Sequence, residues 1–521
     1  MVDSFFFNGT LLTQDANRPI AQALAVKDGR IRAVGSRDEL EGLVGPETVR
    51  LDLDGGTLVP GFNDSHVHVW KIGQLLTSIL DLRSIGSLRE LAEMLRRRDR
   101  ELSPGQWLLG RGYNEARLSE GRQPTRRDLD EAVSGRPIAL TRTCGHMLVA
   151  SSRALEMAGV TRETSDPSGG SIVRDASGEP TGLLQETAMG FVKAVLPEPT
   201  PAEYAEMVRA AQAAQLAKGI TSATEAGAYP DLVRAYRDLE RSGELRVRAN
   251  VMAMRLADEE VKPLPLPERF LSDFLRVDSV KLFADGGLSG ATAALRGTYR
   301  HEPTHGLLRA RTDELLDLAL EAQREGLRVC CHAIGDAAID VVLDAYERLG
   351  RPGHRVEHFG LPDDSQIARA RRLGVAVAPQ AVFIHDLGPN FRRYLGEEYL
   401  NRLYPIRSML RGGLLVALGS DAPVVPDDSP LLGIRTAVTR RDAEGTIIAP
   451  HESITVKEGI DAYTMGSAKA SGDAGDRGSL EPGKWADMVL LDRDPLETPP
   501  EQLADLRVLA TFVGGEERYR A

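Results

Sequence analysis

The alternation of helical and strand-like segments between residues 312 and 381 constrains the fold of this chain more than any other feature. The segment TDELLDLALEAQREG has apolar residues at a helical spacing, ends at Gly326 and leads directly into the apolar run LRVCCHA. The same order recurs in AAIDVVLDAYERLG and in DDSQIARARRLG, which precedes VAVAPQA. Strands separated by single helices are typical of parallel βαβ units, so the sequence predicts a parallel α/β fold.

Eight segments have the composition of barrel strands: LVPGFNDSHVH, ITSATEA, VRANVMA, VKLFA, VCCHA, RVEHF, VAVAPQ and LVALGSD. A parallel barrel of eight strands can use roughly 250 residues as one unit, and it places its catalytic groups at the C-terminal ends of the strands. The interval between the first two segments is too long for one crossover. An inserted subdomain is therefore predicted over about residues 80 to 200.

Six residues with metal-binding or acid–base chemistry lie at or near the ends of these strands: His66, His68, Lys281, His332, His358 and Asp421. His66 and His68 are two apart in an extended segment, so they share a face and can hold one ion. Each position also has a simpler interpretation. The pair suits a polar edge strand, His332 and His358 suit a packed core, and Asp421 suits a turn or helix cap. The placement of all six at strand ends favours a metal centre.

Lys281 lies among valine, leucine and phenylalanine in SVKLFADGG, where a lysine is rarely buried without a partner. One interpretation is a side chain that extends along the strand end to reach water. The other is chemical, because burial lowers the pKa of an amine and a neutral amine can capture carbon dioxide as a carbamate, which can bridge two metals. Spacing alone does not decide between these interpretations.

Taken together, the motifs resemble those of the amidohydrolase superfamily. The segments PGFNDSHVH, GHMLVASSRAL, GLLQETA, VKLFADGG, HAIGDAAID, VEHFG and GSDAPV are similar to its amidohydrolase-3 branch, which includes N-substituted formamide deformylases. This resemblance covers nearly the whole chain. It implies a TIM-type (β/α)8 barrel that binds one or two divalent ions, zinc first, through His66, His68, Lys281, His332, His358 and Asp421.

The resemblance also implies a reaction, in which metal-activated hydroxide hydrolyses a non-peptide C–N bond such as that of an N-formyl or N-acyl amine. Asp421 would then carry the proton from the attacking water to the leaving amine. His146 either donates a hydrogen bond to the scissile carbonyl or caps the helix that follows it. Asp285 and Asp336 are either turn residues or carboxylates that orient histidines. A phosphoester hydrolase with the same centre and a non-catalytic assembly protein are the alternatives.

Residues 1–58 and 440–521 have short strands and turns, with a helical link in the C-terminal part, and neither piece has enough strands to bury itself. We therefore expect one small β-sandwich built from both termini. The barrel is expected over residues 59–439, including the insertion.

Composition narrows the function classes. A net charge of −12 with mixed signs offers no basic stripe for nucleic acid. Three cysteines are too few for a disulfide scaffold, FFFNGTLLT is too short for a signal core, and no stretch approaches the roughly 20 apolar residues of a membrane helix. The expectation is a soluble cytoplasmic enzyme with a small-molecule substrate, without nucleic-acid or membrane partners. The sequence is compatible with a homo-oligomer and leaves the oligomeric state open.

Overall fold

The structure, a computed structural model, describes residues 1–142, 147–167, 170–256, 263–300 and 303–521. The chain divides into two compact units, of which the larger comprises residues 1–71 and 208–521 and the smaller comprises residues 72–207. This division differs from the domain limits expected above, which stay predictions.

The larger unit contains a sheet of eight parallel strands, numbered here along the chain: β1 Phe62–Val67, β2 Ile220–Ala228, β3 Arg248–Met254, β4 Leu275–Phe283, β5 Arg328–Ala333, β6 Arg355–His358, β7 Ala376–Ala378 and β8 Leu415–Val416. Each strand pairs with the next one in sequence, and a short strand, Phe270–Leu271, pairs antiparallel with β4. Every one of the eight segments predicted as barrel strands overlaps one of these strands. Their residues are mostly buried, as expected of parallel strands covered on both faces.

Backbone hydrogen bonds join β1 to the residues that follow β8. Ser65 N donates to Leu418 O at 3.2 Å, Asp421 N donates to His66 O at 2.7 Å, and His68 N donates to Ala422 O at 2.9 Å. We call this contact between residues 65–68 and 418–422 the seam. It brings the first and last strands together, so the sheet is barrel-like.

Gly419 allows the close approach at the seam. A Cβ atom at this position would lie 2.7 Å from His66 N and 3.0 Å from His66 O. Backbone atoms cannot give way as a flexible side chain can, so only glycine fits here without a shift of one strand.

Helices in the larger unit follow several strands and cover the sheet. Its α-helices are Arg37–Leu40, Pro230–Arg241, Thr312–Arg324, Asp336–Leu349, Asp364–Arg372, Val382–Tyr394, Glu397–Leu400, Ile406–Arg411, Pro430–Thr439, Val456–Asp461 and Ser467–Ser471. Two further helices, Val69–Thr77 and Pro201–Ala217, contain the limits between the units. The three helices predicted between residues 312 and 381 are confirmed. No helix in the described ranges has the length and apolar content needed to span a bilayer.

The terminal segments form two further sheets. One contains Arg30–Gly35, Ala23–Lys27, Ser4–Phe7 and Val49–Asp52, in that order. The other contains Glu516–Arg520, Val508–Val513, Met488–Leu491, Thr57–Pro60, Thr10–Leu12 and Ile20–Ala21. In this second sheet Met488–Leu491 pairs antiparallel with Thr57–Pro60, so strands from both ends of the chain share one sheet. Phe6 of the first sheet and Phe512 of the second belong to the same apolar cluster, with ring centroids 5.1 Å apart.

The smaller unit has its own sheet and core. Its strands, in sheet order, are Gly170–Arg174, Pro180–Glu186, Met147–Ala150, Ile138–Arg142, Leu108–Tyr113 and Leu80–Asp81. Its α-helices are Leu88–Asp99, Arg126–Ala132, Ser152–Met157 and Gly190–Lys193. Leu91, Leu95, Leu108, Leu129 and Leu140 are buried together, so this unit buries an apolar core of its own.

Candidate metal centre

The two histidines of the HxH motif meet one carboxylate oxygen. His66 lies in β1 and His68 directly follows it, and the centroids of their rings are 6.1 Å apart. The Oδ1 atom of Asp421 lies 3.5 Å from His66 Nε2 and 3.4 Å from His68 Nε2. The seam therefore brings both imidazoles of the HxH motif close to one carboxylate oxygen of Asp421, which follows the last strand.

His332 in β5 and His358 at the end of β6 complete a cluster of imidazoles. The ring centroid of His358 lies 4.7 Å from that of His66 and 4.3 Å from that of His332. His66, His358 and Asp421 each offer one ligand atom, and these three atoms lie within 4.8 Å of one another. This spacing suits a single divalent cation.

Lys281 is buried in β4, as the sequence predicts, with 1% of its surface exposed. Its Nζ atom lies 5.0 Å from the centroid of the Phe283 ring, and its backbone pairs with Cys330 in β5, two residues before His332. Burial lowers the pKa of Lys281, which increases the fraction of neutral amine. Because so little of its surface is exposed, the side chain of Lys281 does not extend into water.

Burial also sets the charge of the other groups. It lowers the pKa of His68 well below its ordinary value and the pKa of His332 to about 3, so both imidazoles are neutral at pH 7. Burial opposes ionisation of Asp421, but its contact with His66 outweighs this effect and the pKa falls to about 2. Neutral imidazole and ionised carboxylate are the forms that bind metals.

Several buried polar atoms at the centre have no hydrogen-bond partner among the described residues. These atoms include His66 Nε2 and Asp421 Oδ1, which face each other, and His68 Nδ1. A buried polar atom without a partner is costly unless something else binds it. His66 Nε2 and Asp421 Oδ1 belong to an imidazole and a carboxylate that face each other, and His68 Nε2 lies 3.4 Å from the same oxygen, so the residues fit a divalent cation.

A second set of residues contacts the histidines through their other ring nitrogens. The contacts are His66 Nδ1 with Glu357 Oε2 at 2.5 Å, His358 Nδ1 with Gln380 Oε1 at 2.6 Å, His332 Nε2 with Gly286 O at 3.1 Å and His68 Nδ1 with Glu225 Oε1 at 3.8 Å. The first three contacts have hydrogen-bond length, so they hold these rings in place and select which nitrogen faces a metal, whereas the contact of His68 is too long for a hydrogen bond. Sequence reasoning missed these residues.

The two glutamates differ in their surroundings. Burial raises the pKa of Glu225 to about 8, against hydrogen bonds donated by Trp70 N and by the hydroxyl of Tyr236. Burial acts in the same direction on Glu357, but the charge of Arg355 outweighs it and holds the pKa well below the usual range. A charged side chain inside a buried strand segment is the signal that could have identified both glutamates, and the same signal identified Lys281.

The remaining predicted residues have separate outcomes. His146 lies outside the described residues, so its role stays a prediction. Asp285 accepts hydrogen bonds from three backbone N–H groups, at residues 294, 334 and 335, and its Oδ1 lies 3.4 Å from His332 Nε2, so it shapes the loops and also contacts a histidine. Asp336 starts a helix and pairs with Arg402 at 2.7 Å.

Comparison with known proteins agrees with this geometry. The amidohydrolase family (Amidohydro_3) matches residues 50–519. The putative amidohydrolase YtcJ of Bacillus subtilis strain 168 is 33% identical, with 96% of each chain covered. The N-substituted formamide deformylase of Arthrobacter pascens is 32% identical, with 100% of this chain and 98% of that protein covered. The crystal structure of an uncharacterized metal-dependent hydrolase from Pyrococcus horikoshii OT3 has a TM-score of 0.81 at 29% identity, over 95% of this chain and 99% of that one. The chain therefore belongs to the amidohydrolase family of metal-dependent hydrolases.

Proposed function

We propose that the protein hydrolyses the C–N bond of a non-peptide amide, of the N-formyl or N-acyl amine class. The observation that carries the proposal is the position of Asp421. Its Oδ1 lies 3.5 Å from His66 Nε2 and 3.4 Å from His68 Nε2, which is close enough for these atoms to bind the same metal ion. The similarity to a formamide deformylase along the whole chain supports the choice of bond.

The ligands in this proposal are His66, His68, Lys281, His332, His358 and Asp421. These residues would hold a divalent cation, with zinc as the first choice. The cation would supply Lewis acidity, which polarises a carbonyl and lowers the pKa of water so that hydroxide is available at neutral pH. His68 and His332 contribute neutral imidazoles because burial disfavours their protonation.

Asp421 moves the proton. Its carboxylate is ionised at pH 7, so it can accept a proton from the attacking water and then deliver that proton to the nitrogen of the leaving amine. The C–N bond breaks as the nitrogen gains the proton, and the products are a carboxylic acid and an amine. The buried position of this carboxylate, within 3.5 Å of His66 Nε2 and His68 Nε2, supports this role.

Lys281 has a chemical role in this proposal. Its neutral amine attacks carbon dioxide, loses a proton and becomes a carbamate. The single negative charge of the carbamate is shared by two oxygens, which can hold a second cation. The lowered pKa supports this reaction because only the neutral amine is nucleophilic. An uncarboxylated lysine would instead favour one cation.

The substrate in this proposal is a small molecule, and the protein works in the cytoplasm. The free, buried thiols of Cys330 and Cys331 fit a reducing compartment.

The test is a screen of N-formyl and N-acyl amines with purified protein loaded separately with zinc, manganese, iron or cobalt, with amine release as the readout. A parallel panel of phosphomonoesters and phosphodiesters is read by phosphate or alcohol release. Amine release that depends on metal and is lost in Asp421→Asn supports the proposal. Turnover of phosphoesters alone would replace it with the phosphoester alternative, and no turnover in either panel would favour a non-catalytic protein.

A further inference from the structure

We propose that Glu357, braced by Arg355, is a positioning residue that fixes His66 in the tautomer whose Nε2 is free to bind metal. This inference rests on the metal site of the proposed function and is independent of which bond the enzyme cleaves. It assigns a role to a buried ion pair that contributes no ligand atom itself.

The geometry assigns the hydrogen between Glu357 and His66. Glu357 Oε2 lies 2.5 Å from His66 Nδ1, and Arg355 donates from Nε to Oε1 and from Nη2 to Oε2, both at 2.9 Å. Arginine has only donors and an ionised carboxylate has only acceptors, so the hydrogen between Glu357 and His66 belongs to Nδ1. A neutral imidazole with a hydrogen on Nδ1 has its lone pair on Nε2. That atom is the one that faces Asp421.

Arg355 also fixes the backbone next to His66. Its Nη2 donates to Ser65 O at 2.8 Å. Arg355 belongs to β6, whereas Ser65 belongs to β1, and these strands are not neighbours in the sheet. The guanidinium therefore reaches across the barrel-like sheet and holds both the carboxylate and the strand that carries the histidine. Both charged groups are buried, so water does not compete with this arrangement.

The other three histidines lack an equivalent contact among the described residues. His358 faces the neutral amide of Gln380, and His332 faces a backbone carbonyl. His68 is 3.8 Å from Glu225, which is too long for a hydrogen bond. The carboxylate of Asp285 lies 3.4 Å from His332 Nε2, so within the described part of the chain only His66 has its outward nitrogen within 3 Å of a carboxylate. A negative partner at that position strengthens the imidazole as a ligand.

The experiment measures zinc affinity directly. Metal-free protein, prepared by chelation, is titrated with zinc in competition with a chromophoric chelator, and the melting temperature of each metal-free variant is recorded. Two variants are compared with the unchanged protein. Glu357→Gln removes the charge and keeps an oxygen, whereas the double variant Arg355→Met with Glu357→Leu removes both partners, so no charge is left buried alone.

The double variant Arg248→Met with Asp487→Leu is the matched control. Arg248 and Asp487 form the same kind of buried two-point pair, at 2.7 and 3.0 Å, but they lie away from the histidines. We expect zinc to bind about 10- to 100-fold more weakly in the double variant at positions 355 and 357, and roughly tenfold more weakly in Glu357→Gln. The control should bind zinc within about twofold of the unchanged protein, whatever its change in melting temperature.

Ring-nitrogen NMR of 15N-histidine-labelled, metal-free protein reads the tautomer itself. The resonance pair lost in His66→Gln should show hydrogen on Nδ1 in the unchanged protein and a mixture of tautomers in the double variant. Unchanged zinc affinity in a folded double variant would overturn the inference, and so would an equal loss in the control. If the double variant does not fold, an unchanged affinity in Glu357→Gln overturns it. Zinc binding that depends on Glu357 in a protein without amide hydrolysis would refute only the proposed reaction.

Discussion

The Nε2 atom of His66 lies 3.5 Å from the Oδ1 atom of Asp421, and the backbone of Asp421 donates a 2.7 Å hydrogen bond to the carbonyl of His66. Side chain and backbone thus connect the same two residues at the seam. Asp421 has a φ of 57°, in the left-handed region that residues other than glycine rarely adopt. The surrounding contacts must hold this conformation, which indicates that the orientation of the carboxylate is built into the closure of the sheet.

The first prediction concerns bound metal. We expect at least one divalent ion per chain, because His66, His68, His358 and Asp421 present ligand atoms toward one point. Chelation should lower the melting temperature, and zinc at about 100 times its dissociation constant should restore about 2.7 kcal/mol of unfolding free energy. Elemental analysis and calorimetry measure the two effects. A metal content well below one equivalent, with no stabilisation by zinc, manganese or cobalt, would contradict the prediction.

The second prediction concerns the seam. Gly419→Ala places a methyl group 2.7 Å from His66 N, so the strands must separate. We expect a loss of roughly 1–3 kcal/mol of unfolding free energy together with weaker metal binding, since overpacking shifts the backbone that positions Asp421. Gly475→Ala is the control, because a Cβ at that glycine meets no atom within 4 Å. Equal effects of the two substitutions would show that the close approach at Gly419 is unimportant.

The third prediction concerns Lys281. Lys281→Ala should abolish hydrolysis, because the buried amine or its carbamate has no substitute among the neighbouring apolar residues. Short-chain carboxylic acids should restore part of the activity by supplying two oxygens in the space that the side chain leaves. Activity is measured with and without acetate or propionate. Crystals grown with bicarbonate and metal provide a direct check, and a bare amine in their density would count against the carbamate.

The fourth prediction separates proton transfer from metal binding. Asp421→Asn should retain most of the metal, because the histidines and Lys281 still hold it, while kcat falls by roughly 10²- to 10⁴-fold. Metal content and kcat are measured on the same preparations across pH. The acidic limb of the pH–rate profile should change as well, because it reports the coupled site and not one residue. Near-normal turnover in a metal-loaded variant would remove Asp421 from proton transfer, and loss of metal would make it chiefly a ligand.

The fifth prediction concerns stability in acid. Asp487 is buried beside Arg248, and although burial opposes its ionisation, Arg248 lowers its pKa below the unfolded value of about 3.9. The pair therefore stabilises the fold above about pH 4, and this contribution is lost as pH falls through the lower folded pKa. Asp487→Asn should cost about 3–5 kcal/mol at pH 7, since it leaves a buried guanidinium without its charge partner.

The same variant needs a surface control. Asp238→Asn removes the exposed partner of Arg241, whose contact of 2.9 Å is open to water, and should change the melting temperature very little. The difference in melting temperature between Asp487→Asn and the unchanged protein should shrink as pH falls from 5 to 2. A difference that stays constant over this range would show that the charge of Asp487 does not stabilise the fold.

One sequence pattern predicted both the strands and the candidate metal ligands. Strand-like runs that end at or near His66, Lys281, His332 and His358 indicate a buried strand. They also indicate the strand end at which a barrel has its catalytic groups. Local composition carries this information. The helices were predictable from apolar residues at a helical spacing, and in Thr312–Arg324 the buried residues are Leu315, Leu316, Ala319 and Ala322.

Glu357 and Glu225 were not predictable as partners of histidines. The identity of each partner depends on the register between strands, such as the pairing of His332 with Glu357, and on contacts across the sheet. Neither is encoded in the spacing along one strand. The limits of the smaller unit, residues 72–207, depend equally on contacts between segments distant in sequence. The long interval between the first two predicted strands indicated an insertion there but could not locate its edges.

The seam also determines when the site can exist during synthesis. The ribosome synthesises His66 early and Asp421 late. The strand Met488–Leu491 emerges later still, and it pairs with Thr57–Pro60, the strand that precedes β1 in the sequence. Domains commonly fold as they leave the ribosome, from the N-terminus onward. In the proposed ligand set, Asp421 is the last residue to be synthesised. A nascent chain stalled before residue 421 would carry the four histidines and Lys281 without the seam, so we expect the proposed metal site to form only after residue 421 has left the ribosome.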